Sequence, residues 1–118
     1  MGRPTMRADV RMVADGPAGV AHYREGEHQH DFDWEFGGRD VIMSIYVPGP
    51  AQWDAAIPWA AGRRDEVLHR LGRIVARQQF PFGRFEIHER WVNICEARAP
   101  WRIIGDWLAR LRTPRTPR

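Results

Sequence analysis

The chain has 118 residues, 43% of them hydrophobic and 28% charged, which suits one globular core and leaves no room for two, because single domains cluster at roughly 100–150 residues. All 18 basic residues are arginine, so lysine Schiff-base, pyridoxal-phosphate and P-loop chemistry is excluded. Ser44 is the only serine and has no nucleophile elbow around it, while the single cysteine, Cys95, rules out an internal disulfide and fits a reducing compartment.

The net charge of +3 is unevenly placed, since 12 arginines face 14 acids up to Ala97, whereas six arginines stand against Asp106 alone from Arg98 onward. The basicity belongs to the C-terminus. Arg3, Arg7, Asp9 and Arg11 preclude a secretory apolar run at the start, and Pro48 and Pro50 interrupt the longest uncharged stretch, Val41 to Trp53. A cytoplasmic protein with no membrane partner is expected.

In chain order, the first half reads as an antiparallel meander. A strand over Met6 to Ala14 closes at Asp15 to Gly19, and a second over Val20 to Arg24 closes near Gly26. The third, His28 to Phe36, alternates most cleanly, with His28, His30, Phe32, Trp34 and Phe36 on one face and Gln29, Asp31, Asp33 and Glu35 on the other. Gly37-Gly38 then suits a two-residue hairpin returning as a fourth strand, Arg39 to Val47, which would set Trp34 opposite Val41, Phe32 opposite Met43 and His30 opposite Ile45.

Pro48-Gly-Pro ends the meander, and Ala51 to Ile57 fits a short helical turn before Pro58. From Arg63 to Gln79, Val67, Leu68, Leu71, Ile74 and Val75 form one stripe at the helical period, with Gly72 allowing close approach to the sheet. A strand over Phe85 to Glu96 changes phase between Ile87 and Val92, which suggests a bulge or burial of both faces. His88 and Cys95 would then point to opposite faces of an unbulged strand, against a Cys-His pair. A last helix opens at Pro100, with Trp101, Ile104, Trp107, Leu108 and Leu111 along one side. The expected layout is a single α+β domain over residues 1–112, ordered ββββ-α-β-α, with the helices on one face of an antiparallel sheet. Residues 113–118 form a disordered Arg/Pro tail.

Four constellations could carry chemistry. His28 and His30 share a strand face and could hold a divalent metal, and His22 joins them if the loop at Glu25 to Glu27 has three residues but turns away if it has two. The run from Gly26 to Glu35 is similar to the first metal motif of cupin barrels over about ten residues, but Glu35 faces away from His30 and no second motif follows, so the family is not carried over. Asp31, Asp33 and Glu35 form an acidic comb that reads as a solvated face, although Ile42 and Tyr46 share that face on the next strand and point to a partner or to self-association. Arg70, Arg73 and Arg77, opposite the helix's apolar stripe, could contact an anion or a phosphate backbone together with the tail. Trp53, Trp59, Trp101 and Trp107 lie near prolines or on short helices, where aromatic surface suits an interface.

With nucleophiles and amines so scarce, the leading expectation is a non-catalytic protein-interaction domain that binds another protein or itself, with a homodimer as one form. A metal-dependent enzyme built on His22, His28 and His30 is the first alternative, and a nucleic-acid-binding accessory protein the second. No cofactor is expected on the leading reading.

Overall fold

The computed structural model describes residues 7–38, 40–79 and 83–96. The order is β1 (Ala8–Asp15), β2 (Ala18–Glu25), β3 (His28–Phe36), β4 (Val41–Tyr46), α1 (Pro50–Ala56), a 3-10 turn (Pro58–Ala60), α2 (Arg64–Gln78), β5 (Arg84–Ile87) and β6 (Trp91–Cys95). The six strands form one antiparallel sheet in the order β1-β2-β3-β4-β6-β5. The class is mixed α+β, as its sequence implies. The expected single strand after α2 is instead a hairpin, because the change of phase between Ile87 and Val92 marks the turn between β5 and β6. The expected helix from Pro100 and the tail Thr113 to Arg118 lie outside the described residues.

Alternation decides which face is buried. Val10, Ala21, Tyr23, Phe32, Trp34, Met43, Ile45, Val92 and Ile94 join Val67, Leu68, Leu71 and Val75 of α2 in one core, and Trp53 and Ile57 extend it under α1. Burial of each large side chain stabilises by about 1.5–3 kcal/mol. Asp65 and Glu66 in the first turn of α2 and Arg77 in its last complement the helix dipole. At the sheet end of that helix, Arg64 donates to the carbonyls of Pro48 and Glu89 at 3.1 and 2.6 Å.

Two turns decide register. Glu25 pairs with His28 across the two residues Gly26 and Glu27, with Gly26 at φ 62°. The β3–β4 hairpin does not turn on Gly37-Gly38: Trp34 lies opposite Ile45 and Phe36 opposite Met43, and Val41 N–H donates to Gly38 O at 3.0 Å. Neither glycine has the positive φ that a two-residue hairpin turn on them needs. Gly37 is needed for another reason, since a Cβ there would lie 2.5–2.8 Å from Val41. The turn is thus centred two residues later than expected, β3 keeps its expected bounds and β4 runs only from Val41 to Tyr46, while the even face of β3 still meets the odd face of β4.

Gly72 lets α2 sit against β5, because a Cβ on it would meet the Phe85 ring at 2.3–2.8 Å, including the ring atom nearest the backbone. Gly72→Ala is expected to destabilise by about 1 kcal/mol net, the overpacking penalty of roughly 1–3 kcal/mol outweighing about 1 kcal/mol of improved helix propensity. A denaturation midpoint at or above wild type would contradict this packing.

Candidate interaction face

The described helices cover one face of the sheet and leave the other open. Its side chains are Asp9, Arg11, Val13 and Asp15 of β1, Val20, His22 and Arg24 of β2, the comb Asp31, Asp33 and Glu35 of β3, Ser44 and Tyr46 of β4, Asn93 and Trp91 of β6, and Arg84 and Glu86 of β5. Register arranges these into rows. Val13 pairs with Val20 and Val20 with Asp33, and Tyr46 pairs with Trp91. Continuing the β3–β4 register by one residue sets Asp33 beside Tyr46, so a row of four apolar side chains crosses the sheet with one acid at its centre.

This row is accessible. Val13, Tyr46 and Trp91 are 38%, 44% and 40% exposed. Six acids against three arginines make the open face net negative, and the comb concentrates that charge at the middle strand. Tyr46 bridges the two characters: a hydrogen bond to Glu35, with a smaller contribution from burial, raises its phenol above the ordinary 10.0. Ser44 Oγ donates to Asn93 Oδ1 at 2.8 Å, and Cys95 is buried, with burial pushing its thiol up. Neither is poised as a nucleophile.

The histidines separate. The two-residue β2–β3 loop places His22 opposite Asp31 on the open face, where Nδ1 lies 2.7 Å from Oδ1. His28 and His30 occupy the other face, His28 stacked on Trp59 at 4.9 Å and His30 edge-on to Phe32 at 4.7 Å. The three imidazoles are not assembled as one ligand set, because the loop length fixes the parity of His22. Burial lowers the pKa of His30, partly offset by Asp31. The Asp31 carboxyl is held below its ordinary value chiefly by hydrogen bonds from His22 and Gln29.

The other residues singled out by sequence also divide. Trp53 is 1% exposed, its indole N–H donating to Ala60 O at 2.9 Å, so it belongs to the core rather than to an interface. Trp59 is half-buried between His28 and Tyr23. Trp101 and Trp107 lie outside the described residues. Arg70 turns inward, against the expectation that it joins Arg73 and Arg77: its guanidinium reaches Glu25 at 2.7 Å and Glu66 at 3.0 Å. Arg73 and Arg77 are exposed and line a concave site of about 250 Å³ with Ala76, Gly83, Arg84 and Phe85.

Sequence reasoning missed two residues of consequence. Trp91 is one, hidden by the assumption of a continuous last strand. Glu25 is the other: it is 2% exposed and accepts hydrogen bonds from Tyr23 at 2.9 Å and from Arg63 and Arg70 at 2.7 Å each. Burial alone would push its carboxyl up, but Arg63, Tyr23 and Arg70 outweigh it and hold the pKa below 4.5. The same period that buries Ala21 and Tyr23 puts Glu25 on the core face, and that was the available signal.

No family model, curated protein or solved structure matches the chain. The functional reading therefore rests on the geometry above. No described helix is long and apolar enough to cross a membrane.

Proposed function

We propose that this is a non-catalytic protein-interaction domain whose open sheet face is the docking surface. The observation that carries the reading is the row of exposed Val13, Tyr46 and Trp91 and half-buried Val20, flanked by Asp31, Asp33 and Glu35, on the face that no described helix covers. Contiguous exposed apolar surface rimmed by charge marks interaction sites, and aromatic side chains dominate the energetics of such sites. The chemistry selects the partner class. A segment bearing apolar side chains and arginine or lysine would fill the row and neutralise the comb, whereas the same face of a second copy would bring acid against acid.

A suitable probe is a labelled synthetic peptide with the sequence of residues 98–112, which combines Trp101, Trp107 and Leu108 with Arg98, Arg102, Arg110 and Arg112. The full chain is expected to bind it with an affinity that falls as salt rises. Tyr46→Asp combined with Trp91→Asp should weaken binding by about tenfold or more, since that corresponds to only ~1.4 kcal/mol across two aromatic contacts. Both substitutions are at exposed positions, and retention of the wild-type circular dichroism would verify the fold. Equal binding by the wild type and the double variant would overturn the reading.

A further inference from the structure

We infer that the free edge of β5, beside α2, is a second docking site, which takes an extended acidic segment of a partner protein as an added strand, with carboxylates at alternate positions on Arg73 and Arg77. The site lies apart from the open face and does not depend on how that face is read.

The backbone comes first. β5 is the last strand of the sheet and pairs only with β6. His88 N–H donates to Trp91 O at 2.8 Å at the head of that hairpin, and antiparallel pairs alternate between bonded and non-bonded, so the bonded pairs that follow are Glu86 with Asn93 and Arg84 with Cys95. Phe85 and Ile87 therefore turn their N–H and C=O groups outward, where no described residue hydrogen-bonds to them. The opposite edge is treated differently, since Gln78 of α2 reaches over and donates to the Val10 carbonyl of β1 at 3.1 Å. An uncovered edge is a template for one more strand.

Charge then selects the occupant. Arg70 is held by Glu25 and Glu66, and Arg84 by Glu86 at 2.8 Å, whereas no described carboxylate pairs with Arg73 or Arg77. Both line the concave site of about 250 Å³ between α2 and the start of β5, with Ala76, Gly83 and half-buried Phe85 as its apolar wall.

Spacing sets the pattern. Phe85 packs on Gly72, and Gly83 N–H donates to Ala76 O at 2.8 Å, so four residues forward along α2, about 6 Å, match two residues back along the edge, about 6.6 Å. Helix and edge run antiparallel. Arg73 and Arg77 follow these contacts by one residue each and keep the same separation, which is that of alternate side chains on one face of a strand. A nucleic-acid backbone would meet the arginines but leave the outward carbonyls of Phe85 and Ile87 without donors, and a second copy of this edge would bring arginine to arginine. An extended acidic segment satisfies both the edge and the charge.

The test is an NMR titration of the isotope-labelled full chain with an unlabelled, acetylated and amidated Thr-Glu-Val-Glu-Val-Glu-Thr peptide. Saturable binding is expected, with the amide hydrogens of Phe85 and Ile87 shifting and slowing in exchange while those of Val13 and Tyr46 on the open face stay unmoved. The same peptide N-methylated along its central residues should bind about tenfold more weakly or worse, because it keeps its charge and loses its backbone donors. Arg73→Glu with Arg77→Glu should also weaken binding by about tenfold or more, and should reverse the preference toward a peptide with lysine for glutamate, which verifies that the variant is folded. Unmoved amides at Phe85 and Ile87 would overturn the inference. So would equal binding of the methylated peptide, which would leave only an anion site, or equal binding by the double variant. A thymidine oligonucleotide that binds the arginines more tightly than the peptide would give them to a phosphate backbone, and a dimer that the peptide fails to dissociate would give the edge to a second copy; either result overturns the inference as well.

Discussion

Glu25→Ala is expected to destabilise the fold by about 3 kcal/mol, near the lower end of the roughly 3–5 kcal/mol that follows removal of one partner from a buried ion pair. The lower end applies because Arg63 and Arg70 are 27% and 22% exposed and both keep Glu66. The loss still hurts. Glu25 joins the end of the β2–β3 hairpin to the first two turns of α2, and without it the Tyr23 hydroxyl loses its buried acceptor. The pH dependence identifies the cause. Because the folded-state pKa of Glu25 lies below 4.5, its contribution is fully present above that pH and is lost as pH falls through the folded value. The stability gap between wild type and variant should therefore be widest near neutrality and narrow in acid. His30, whose pKa burial lowers from 6.5, adds to the acid sensitivity of both proteins, since its contribution is present above that value and lost below it. Urea denaturation across pH 3–7 checks this, and a gap independent of pH would mean that the carboxylate charge is not what Glu25 contributes.

Gly19→Ala should have a comparable effect for a steric reason. A Cβ at Gly19 would lie 2.0 Å from the Val13 carbonyl oxygen and 2.7–2.9 Å from the Trp34 ring, which covers this glycine from the neighbouring strand. The carbonyl cannot move without disturbing the β1–β2 ladder, and the Trp34 indole is packed in the core at 3% exposure. Overpacking of this kind costs about 3 kcal/mol. Gly38→Ala is the control, because nothing lies within 4 Å of its Cβ position and its φ is not positive. It should be neutral or slightly stabilising. A Gly19→Ala protein as stable as the Gly38→Ala protein would show that β1 and β2 are spaced more loosely than described.

How much of this was legible in the sequence depended on which residue carried the information. Period-two alternation in His28 to Phe36 places Phe32 and Trp34 inside and the acidic comb outside, and the observed faces agree. The stripe from Val67 to Val75 likewise defines the buried side of α2. Turns were less legible, because glycine has more than one use: Gly26 supplies a positive φ, whereas Gly37 makes room for Val41 and leaves the hairpin to close between Gly38 and Val41. A single loop residue decided the histidines, since a three-residue loop of Glu25 to Glu27 would have brought His22 opposite His30, whereas Glu25 pairs with His28 and leaves a loop of two. Arg70 could not be placed without Glu25, because a charge looks solvated until its buried partner is known. The open face was legible only in part: Tyr46 and the comb were visible as neighbours, but Trp91 joined them only once the β4–β6 pairing was known.

The most direct test of the central claim is backbone amide shift mapping by NMR, with the isotope-labelled full chain titrated with the unlabelled 98–112 peptide. The largest shifts should fall on Val13, Val20, Ser44, Tyr46 and Trp91 across β1, β2, β4 and β6, with residues of α2 such as Arg73 and Arg77 left nearly unmoved. Shifts concentrated on α2, or none at all, would contradict an interaction domain that works through its open sheet face.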